Sequence, residues 1–322
     1  MKNAKAEMFR RYSLHIVLHY SCTVMMSCTC CPRHCDVDRR VKLGFCHASM
    51  LPEIASVSVH KGEEPPISGK KGIVNIFFAH CNLQCCFCQN RDISGASVDS
   101  DKVFYHSVDE VVGRVAELLP QTENVVGFVS PSHYAWLVPE LVEAFHAKGL
   151  YPTIVYNTNG YDTVDTLRMV APYVDIYLPD FKYMDASLAQ RYSHAADYPQ
   201  RAQEALIEML AQKGTGLPTD ENDIAFRGII VRHLVLPGQV QNSIACLQWM
   251  ADNLSTRLHV SLMAQYYPPQ DNLPDQLNRT LLPEEYNQVV AAFHDLGFTR
   301  GWVQELSASE TYRPDFSRRQ SF

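Results

Sequence analysis

The chain has 322 residues, a formal net charge of −7 and 11 cysteines. A hydrophobic content of 46% is enough for a substantial core, and a charged content of 20% argues against disorder. Without a long basic run there is no electrostatic case for a nucleic-acid partner, and without an apolar run of about 18 residues no membrane span is expected.

The beginning of the chain imitates a signal peptide. Four basic residues precede the apolar stretch "LHIVLHYSCTVMMSC", but His15 and His19 interrupt it and no A-x-A cleavage site follows. The cysteines are odd in number and cluster in two short windows, which is typical of metal or cluster ligation in a reducing cytosol rather than of a secreted disulfide framework. We therefore expect a cytoplasmic protein.

Residues 22–50 are rich in cysteine and lack apolar periodicity. Four thiolates in such a coreless segment favour a closed structural metal site. Zinc and a second iron–sulfur cluster both suit thiolate ligands, so the spacing leaves both open, beside the alternative of free cysteines without a metal. The predicted ligands, at C-x2-C-x3-C-x10-C spacing, are Cys28, Cys31, Cys35 and Cys46. Three cysteines carry no assignment: Cys22, Cys30 and Cys246.

From residue 59 a loop leads into alternating strands and helices. "GIVNIFFAHC" predicts a buried strand, and "SVDEVVGRVAELL" predicts a helix that begins with a capping box at Ser107 and Glu110. The alternation implies βαβ units and a parallel sheet that is curved or forms a partial barrel. The other predicted strands are "VVGFVSP", "YPTIVYNTNG", "VDIYLPDFKY", "FRGIIVRHLVLPG" and "HVSLMAQYYP", with helices at "ELVEAFHAKG", "VDTLRMV", "AQEALIEMLAQKG" and residues 243–254. A final strand at "FTRGWVQE" would close one edge.

Polar residues cluster where these strands end. Because the carboxyl ends of parallel strands build the ligand site in α/β proteins, we expect the polar residues to converge on one mouth. The alternative is that they only mark where strands become loops. The candidates are Cys81 after the first strand, Ser130, Ser132 and His133 after the second, Asn157 and Asn159 at the third, Asp180 and Lys182 after the fourth, Arg232 and His233 in the fifth, and Gln265 after the sixth.

The stretch "AHCNLQCCFCQN" holds four cysteines in eight residues. Cys81, Cys85 and Cys88 give C-x3-C-x2-C, and thiolates are the natural ligands of iron–sulfur clusters. Cys86 is the spare, because adjacent side chains in an extended loop diverge. Three ligands would leave one iron of a four-iron cluster open for chemistry, by the logic that separates catalytic from structural zinc. A four-cysteine zinc site and a thioredoxin-like redox pair are weaker alternatives.

These motifs resemble a known superfamily. "CNLQCCFC", with Phe87 before its last cysteine, resembles the signature of radical S-adenosylmethionine enzymes. "CFCQN", "NTNGY", "VDIYLPDFKYM" and "RHLVLPG" resemble strand ends of pyruvate formate-lyase-activating enzymes, and "EEPPISG" with the cysteine-rich N-terminus resembles the branch described as pyruvate formate-lyase-activating-enzyme-like. The resemblance spans residues 28–305 and implies an α/β fold: a partial (β/α)6 TIM-like barrel over 59–306, after an N-terminal extension over 1–58 and before a polar tail over 307–322.

The resemblance also implies the cofactors and the reaction. Cys81, Cys85 and Cys88 would hold a [4Fe–4S] cluster, whose open iron would bind S-adenosylmethionine. Reductive cleavage would give methionine and a 5′-deoxyadenosyl radical that takes hydrogen from a substrate. The expected partners are an electron donor of the flavodoxin or ferredoxin type and a glycyl radical enzyme as protein substrate. Two alternatives stay open: radical chemistry on another protein or small molecule, and a non-catalytic iron–sulfur or zinc protein of electron transfer.

Residue roles follow from the same resemblance. Asp180 and Lys182 match a D-x-K near the cofactor in relatives and form the candidate catalytic pair, with a structural ion pair as the alternative. Arg232 matches an arginine that meets the methionine carboxylate. Relatives carry Gly-Gly-Glu at the second strand end, where this chain has "SPSHY". The candidate cofactor-binding residues are Ser130, Ser132, His133, Asn157, Asn159, Arg232, His233 and Gln265.

Overall fold

An eight-stranded sheet, with the strands in sequence order, forms the centre of the protein. The structure, a computed structural model, describes residues 27–95, 98–310, 314–318 and 321, so the segment that imitates a signal peptide and Cys22 lie outside the described residues. The strands are β1 (Ile54–His60), β2 (Ile73–Phe78), β3 (Val125–Val129), β4 (Thr153–Thr158), β5 (Ile176–Pro179), β6 (Gly228–Leu234), β7 (His259–Met263) and β8 (Gly301–Val303).

Nine α-helices connect or flank these strands within the described residues. Two are single turns, α1 (Pro65–Ser68) and α2 (Arg91–Ser94). The others are α3 (Val108–Leu118), α4 (Leu137–Ala147), α5 (Val164–Val170), α6 (Ala186–Ser193), α7 (Tyr198–Lys213), α8 (Val240–Asn253) and α9 (Pro283–Asp295). None of the described helices is long and apolar enough to cross a membrane.

The strand order identifies the kind of α/β fold. β1 pairs antiparallel with β2, and every following pair from β2–β3 to β7–β8 is parallel. Each connection leads to the next neighbour without reversing direction, which is the progression of a (β/α) barrel and not of a doubly wound sheet. The predicted α/β fold class is confirmed, and the sheet is that of a partial TIM-like barrel with β1 and β8 added at its edges.

The boundary predicted after residue 58, between the N-terminal extension and the barrel, falls inside β1. In its sequence, "IASVSVH", small and polar residues interrupt the apolar ones. Ser56 and Ser58 are nevertheless buried, and their hydroxyls lie within hydrogen-bond distance of each other (3.3 Å). A buried strand with paired hydroxyls lacks the apolar run that identifies an interior strand from sequence.

The end of the chain lies against this same edge of the sheet. Phe316 is buried, and its ring meets the ring of Phe77 edge-on at 5.4 Å. The Ser321 hydroxyl lies 3.1 Å from the hydroxyls of both Ser56 and Ser58. The described part of the predicted polar tail therefore contacts β1 and β2, at the edge of the sheet opposite to β8.

Local signals explain the helices that the sequence predicts. Ser107 caps α3 by accepting a hydrogen bond from the Glu110 amide at 3.3 Å, and the Glu110 carboxylate accepts from the His106 amide at 2.8 Å. Val111, Val112 and other apolar side chains of one face of α3 are buried. The core thus lies between the sheet and its helices, which fixes the strand ends that carry the polar residues.

A substitution at Gly160 tests the packing behind the strand ends. It follows β4 with φ +81°, and a Cβ atom there would collide with the carbonyl oxygen of Asp180. We expect Gly160→Ala to lower the free energy of unfolding by about 1–3 kcal/mol. Gly113, inside α3, has open space around its Cβ position, so Gly113→Ala should be neutral or stabilising by up to about 1 kcal/mol. Urea unfolding followed by circular dichroism measures both; equal effects would contradict the collision.

Candidate active site

One pocket opens where the parallel strands end. It reaches from the loop after β2 across the ends of β3 to β7, so the expected convergence of polar residues is largely found. Ten of the predicted site residues line it: Cys81, Cys85, Cys88, Ser130, Asn157, Asn159, Asp180, Lys182, Arg232 and Gln265.

Three predicted cofactor-binding residues, Ser132, His133 and His233, do not line this pocket. His233 follows Arg232 in β6, and successive strand residues point to opposite faces, so His233 turns away and lies 2.6 Å from the Phe181 carbonyl oxygen. Ser132 and His133 lie in a short 3-10 turn that carries them into the interior. The Ser132 hydroxyl lies 3.0 Å from the Thr158 hydroxyl, and His133 Nε2 lies 2.7 Å from the Ala79 carbonyl oxygen.

The cysteine loop after β2 presents three thiols to the pocket and turns the fourth away. Cys81, Cys85 and Cys88 line the pocket, whereas Cys86 does not. The Cys86 backbone amide donates a hydrogen bond to the Tyr192 carbonyl oxygen at 2.9 Å. The loop geometry therefore separates the three predicted ligands from the spare cysteine.

Each of the three sulfurs accepts a hydrogen bond from a donor outside its own residue. Such donors stabilise thiolates and tune the potential of iron–sulfur clusters. The contacts are Asn159 Nδ2 to Cys81 Sγ (3.5 Å), Ser193 Oγ to Cys85 Sγ (2.9 Å) and Ser94 Oγ to Cys88 Sγ (3.2 Å). The donors come from the end of β4, from α6 and from α2, so three parts of the fold meet at the loop.

Burial makes two of these thiols, Cys85 and Cys88, poor thiolates on their own. It raises the pKa of Cys85 to about 12 and also raises the pKa of Cys88, while the nearby Lys182 ammonium lowers both. Within the described residues, no group of three or more Cys, His, Asp or Glu side chains is arranged to hold a single metal ion. By donor chemistry, one buried and two partly buried thiols with their own hydrogen-bond donors around one pocket fit a thiolate-bound cluster.

Asp180 holds both cations of the pocket wall. Its Oδ2 lies 2.6 Å from Lys182 Nζ, and its Oδ1 accepts from Arg232 Nε at 2.9 Å. Burial raises the pKa of Asp180, but the two cations outweigh burial and hold this pKa below its ordinary value. Arg232 also donates through Nη2 to Asn157 Oδ1 at 2.7 Å. Asp180 is thus an ionised carboxylate with both oxygens engaged.

The part of the pocket wall that lies between β1 and β2 was not predicted from the sequence. His60, Glu63 and Glu64 line the pocket, although only the resemblance of "EEPPISG" drew attention to this segment and it gave no residue a role. Glu63 Oε1 accepts from Asn75 Nδ2 at 2.8 Å, and its Oε2 lies 3.5 Å from Arg232 Nη1. Two adjacent acids before a Pro-Pro pair were the available signal.

Three glutamines join the cysteine loop to the last strands. Gln265 donates to Gln89 Oε1 at 3.3 Å, and Gln304 donates to Gln265 Oε1 at 3.0 Å. All three line the pocket, and only Gln265 was predicted. Their amides fix the side of the pocket that faces β7 and β8.

The N-terminal thiols gather differently from the predicted spacing. Cys30, which the sequence left unassigned, is buried with its sulfur 3.7 Å from that of Cys28, and it also interacts with the Cys31 thiol. The hydrogen bond with Cys30 lowers the pKa of Cys28. Cys46 is buried nearby, whereas Cys35 is partly exposed and accepts from the Phe45 amide at 3.3 Å. Cys30 therefore joins the candidate ligands.

Arg39 attaches this cysteine segment to the barrel. Its buried guanidinium donates to the carbonyl oxygens of Ala48 (2.9 Å), Ser49 (2.8 Å) and His133 (2.6 Å). It also lies over the Tyr134 ring, 4.8 Å from the centroid. A buried guanidinium beside thiols supplies positive charge where thiolates would need it.

Asn82 connects the N-terminal thiols with the pocket. Its side chain hydrogen-bonds the Cys31 thiol, and its Oδ1 accepts from Asn159 Nδ2 at 2.7 Å. Asn159 Nδ2 also donates to Cys81 Sγ. Cys31 of the N-terminal segment and Cys81 of the pocket are therefore connected through the side-chain amides of Asn82 and Asn159.

Comparisons with known proteins give distant relatives. No protein-family model matches the chain. It is 27% identical, over 275 residues that are 83% of this chain and 74% of the relative, to an uncharacterized protein of Methanocaldococcus jannaschii. The crystal structure of methylornithine synthase is similar with a TM-score of 0.46 and 16% identity, over 68% of this chain and 61% of that one. The chain thus spans less than two thirds of that structure, and likeness of this degree transfers no activity.

Removing the charge of Asp180 tests how much its ion pairs with Lys182 and Arg232 contribute to stability. Asp180→Asn leaves Lys182 and Arg232 short of their shared carboxylate, so we expect a loss of about 3 kcal/mol in the free energy of unfolding at pH 7. Because the folded-state pKa of Asp180 is lowered, this stabilisation is present above the unfolded pKa of about 3.9 and is lost as the pH falls through the lower folded-state value. The double variant Asp180→Asn/Lys182→Met should recover part of the loss. Urea unfolding checks both variants, and a neutral Asp180→Asn would contradict the network.

Proposed function

We propose that this protein is a radical S-adenosylmethionine enzyme whose [4Fe–4S] cluster is held by Cys81, Cys85 and Cys88. One observation carries the proposal: these three thiols, at C-x3-C-x2-C spacing, line one pocket and each accepts a hydrogen bond, while Cys86 faces elsewhere. Three protein ligands leave one cluster position open, which a purely structural site does not need. When bound, the cluster and S-adenosylmethionine supply the reductive cleavage that yields the 5′-deoxyadenosyl radical.

The residues of this chain would bind and orient the cofactor. Arg232 faces the pocket in a fixed orientation, because Asp180 and Asn157 engage two of its nitrogens, and a guanidinium suits a carboxylate ligand. Lys182 lies close enough to lower the pKa of Cys85 and Cys88, so it would offset thiolate charge. Asp180 is then a positioning residue for both cations, since its lowered pKa makes it a poor proton donor.

An aromatic wall borders the cysteine loop. Phe87 lines the pocket and meets the rings of Tyr192 and Tyr266 edge-on, each at 6.3 Å. The remaining predicted contacts, Ser130, Asn157, Asn159 and Gln265, offer hydroxyl and amide groups around the same mouth. The aromatic rings would limit water on this side of the pocket, near a reactive radical.

The finer assignment is activation of a glycyl radical enzyme, with a flavodoxin-type or ferredoxin-type electron donor in the cytoplasm. It rests on the resemblance of "CFCQN", "NTNGY" and "RHLVLPG" to the activating enzymes. Radical chemistry on a small molecule is the second candidate. One observation favours it: the pocket continues past the cysteine loop to Glu63 and Glu64, where a bound molecule would meet negative charge.

A second metal site belongs to the proposal. The ligands are drawn from Cys28, Cys30, Cys31, Cys35 and Cys46, which supply more thiols than one tetrahedral ion needs. Zinc and a second cluster both stay open, because the donor atoms suit either.

The main test is anaerobic turnover. Protein reconstituted with iron and sulfide, then reduced, should form 5′-deoxyadenosine from S-adenosylmethionine. Cys81→Ala should abolish the product and lose about four irons per chain, because the cluster loses one of three ligands. The matched control is Cys86→Ala, which should keep both iron and product. An intact reduced cluster that neither binds nor cleaves S-adenosylmethionine would instead support the electron-transfer alternative.

Metal counting decides the N-terminal site. About eight irons per chain indicate two clusters, and about four irons with one zinc indicate a structural ion. Cys28→Ser should remove only the second metal and leave the four irons of the pocket. Cys30→Ser should do the same if Cys30 is a ligand, and full metal retention would return Cys30 to a purely packed role.

A further inference from the structure

Two neighbouring carboxylates form the inner wall of the pocket. Glu63 accepts from Asn75, the third residue of β2, and Glu64 hydrogen-bonds the hydroxyl of Ser261, the third residue of β7. The Glu63 side chain is 8% exposed and the whole of Glu64 is also 8% exposed. Both acids therefore lie at the level of the strand centres rather than in the mouth.

Glu64 has an unsatisfied oxygen. Its Oε2 is buried and has no hydrogen-bond partner among the described residues. Burial raises the pKa of Glu64 to about 6, which still leaves the carboxylate mostly ionised at pH 7. A buried charge without a partner is costly, so proteins retain one mainly where something else pairs with it.

The charges around the pocket compensate Glu64 only in part, and none of the described residues hydrogen-bonds its Oε2. Three carboxylates line it, from Glu63, Glu64 and Asp180, against two cations, Lys182 and Arg232. Asp180 engages both cations, and the third contact of Arg232 goes to Glu63 at 3.5 Å. His60 also lines the pocket, but burial lowers its pKa, so it adds no positive charge at pH 7. The Arg232 charge also lowers the pKa of Glu64, but one guanidinium shared among Asp180, Glu63 and Glu64 leaves a net negative charge beside Glu63 and Glu64.

Depth separates this charge from the cysteine loop. Ser261, the partner of Glu64, precedes Met263, the last residue of β7, by two residues, which corresponds to about 7 Å of extended strand. A group bound beside the cysteines, in the loop at the strand ends, would therefore lie nearer to the mouth than Glu64 does. The cation that pairs with Glu64 must enter the interior of the barrel, which the backbone glycine of a folded protein partner, carrying no charge, does not explain.

We propose that Glu63 and Glu64 form a subsite for a positively charged group, an ammonium or guanidinium, of a small-molecule substrate. That the bound group belongs to a substrate rests on the proposed function, whereas the binding of a cation does not. The subsite selects its ligand by charge, because an uncharged analogue would leave the Glu64 carboxylate unpaired.

Methylammonium is the probe, and methanol is its uncharged counterpart. Saturation-transfer NMR on the full, reconstituted protein with an oxidised cluster should detect methylammonium at constant ionic strength and should not detect methanol. Glu64→Gln keeps the shape and removes the charge, so binding should weaken about tenfold or more. Glu64→Asp should retain part of the binding. Glu221→Gln is the matched control, because Glu221 is exposed and does not line the pocket.

The outcomes separate the possible ligands. Absence of binding in the wild type, or equal binding in Glu64→Gln, overturns the subsite, provided that circular dichroism and iron content show a folded variant. Displacement of methylammonium by S-adenosylmethionine would assign the subsite to the cofactor and overturn the substrate assignment. Simultaneous binding supports a substrate cation. Because none of these readouts needs 5′-deoxyadenosine, failure of the radical reaction and failure of the subsite are distinguishable.

Discussion

One largely buried carboxylate determines the charge pattern of the pocket. Asp180 occupies both of its oxygens with Lys182 and Arg232, and through Arg232 it is connected to Asn157 and Glu63. In a low-dielectric interior each of these groups would be costly alone, so their positions are mutually determined. The cysteine loop therefore faces a wall whose donors and charges are fixed before any ligand binds.

Periodic and local signals made most of the barrel predictable. The strands from β2 to β7 are rich in apolar residues and are followed by polar residues or end in them, and α3 begins with the predicted capping box. Arg232 and His233 show the limit of this reasoning. Both lie near the end of β6, but the alternation of side chains places only Arg232 at the pocket, and a sequence gives the alternation without saying which face is inside.

Features that depend on long-range contacts were not predicted from the sequence. β1 is a buried strand in which Ser56 and Ser58 interrupt the apolar residues, and its burial is clear only once its partner β2 is known. Glu63 and Glu64 had no predicted role, and only the folded chain places them in the pocket wall. Cys30 had no assignment by spacing, yet its sulfur lies 3.7 Å from that of Cys28. In each case the partner lies far away in sequence or the loop geometry decides.

The contact between the chain's last described residues and β1 has a consequence for access. A partial barrel has two ways in: the mouth at the strand ends, and the lateral gap between its first and last strands. Phe316 and Ser321 contact the β1 and β2 side of that gap, and Pro314 lines the pocket. The lateral route is thereby bordered by residues outside the barrel strands, so their side chains can change without altering a strand. A change there would alter the width of the lateral route while leaving the cysteine loop as it is.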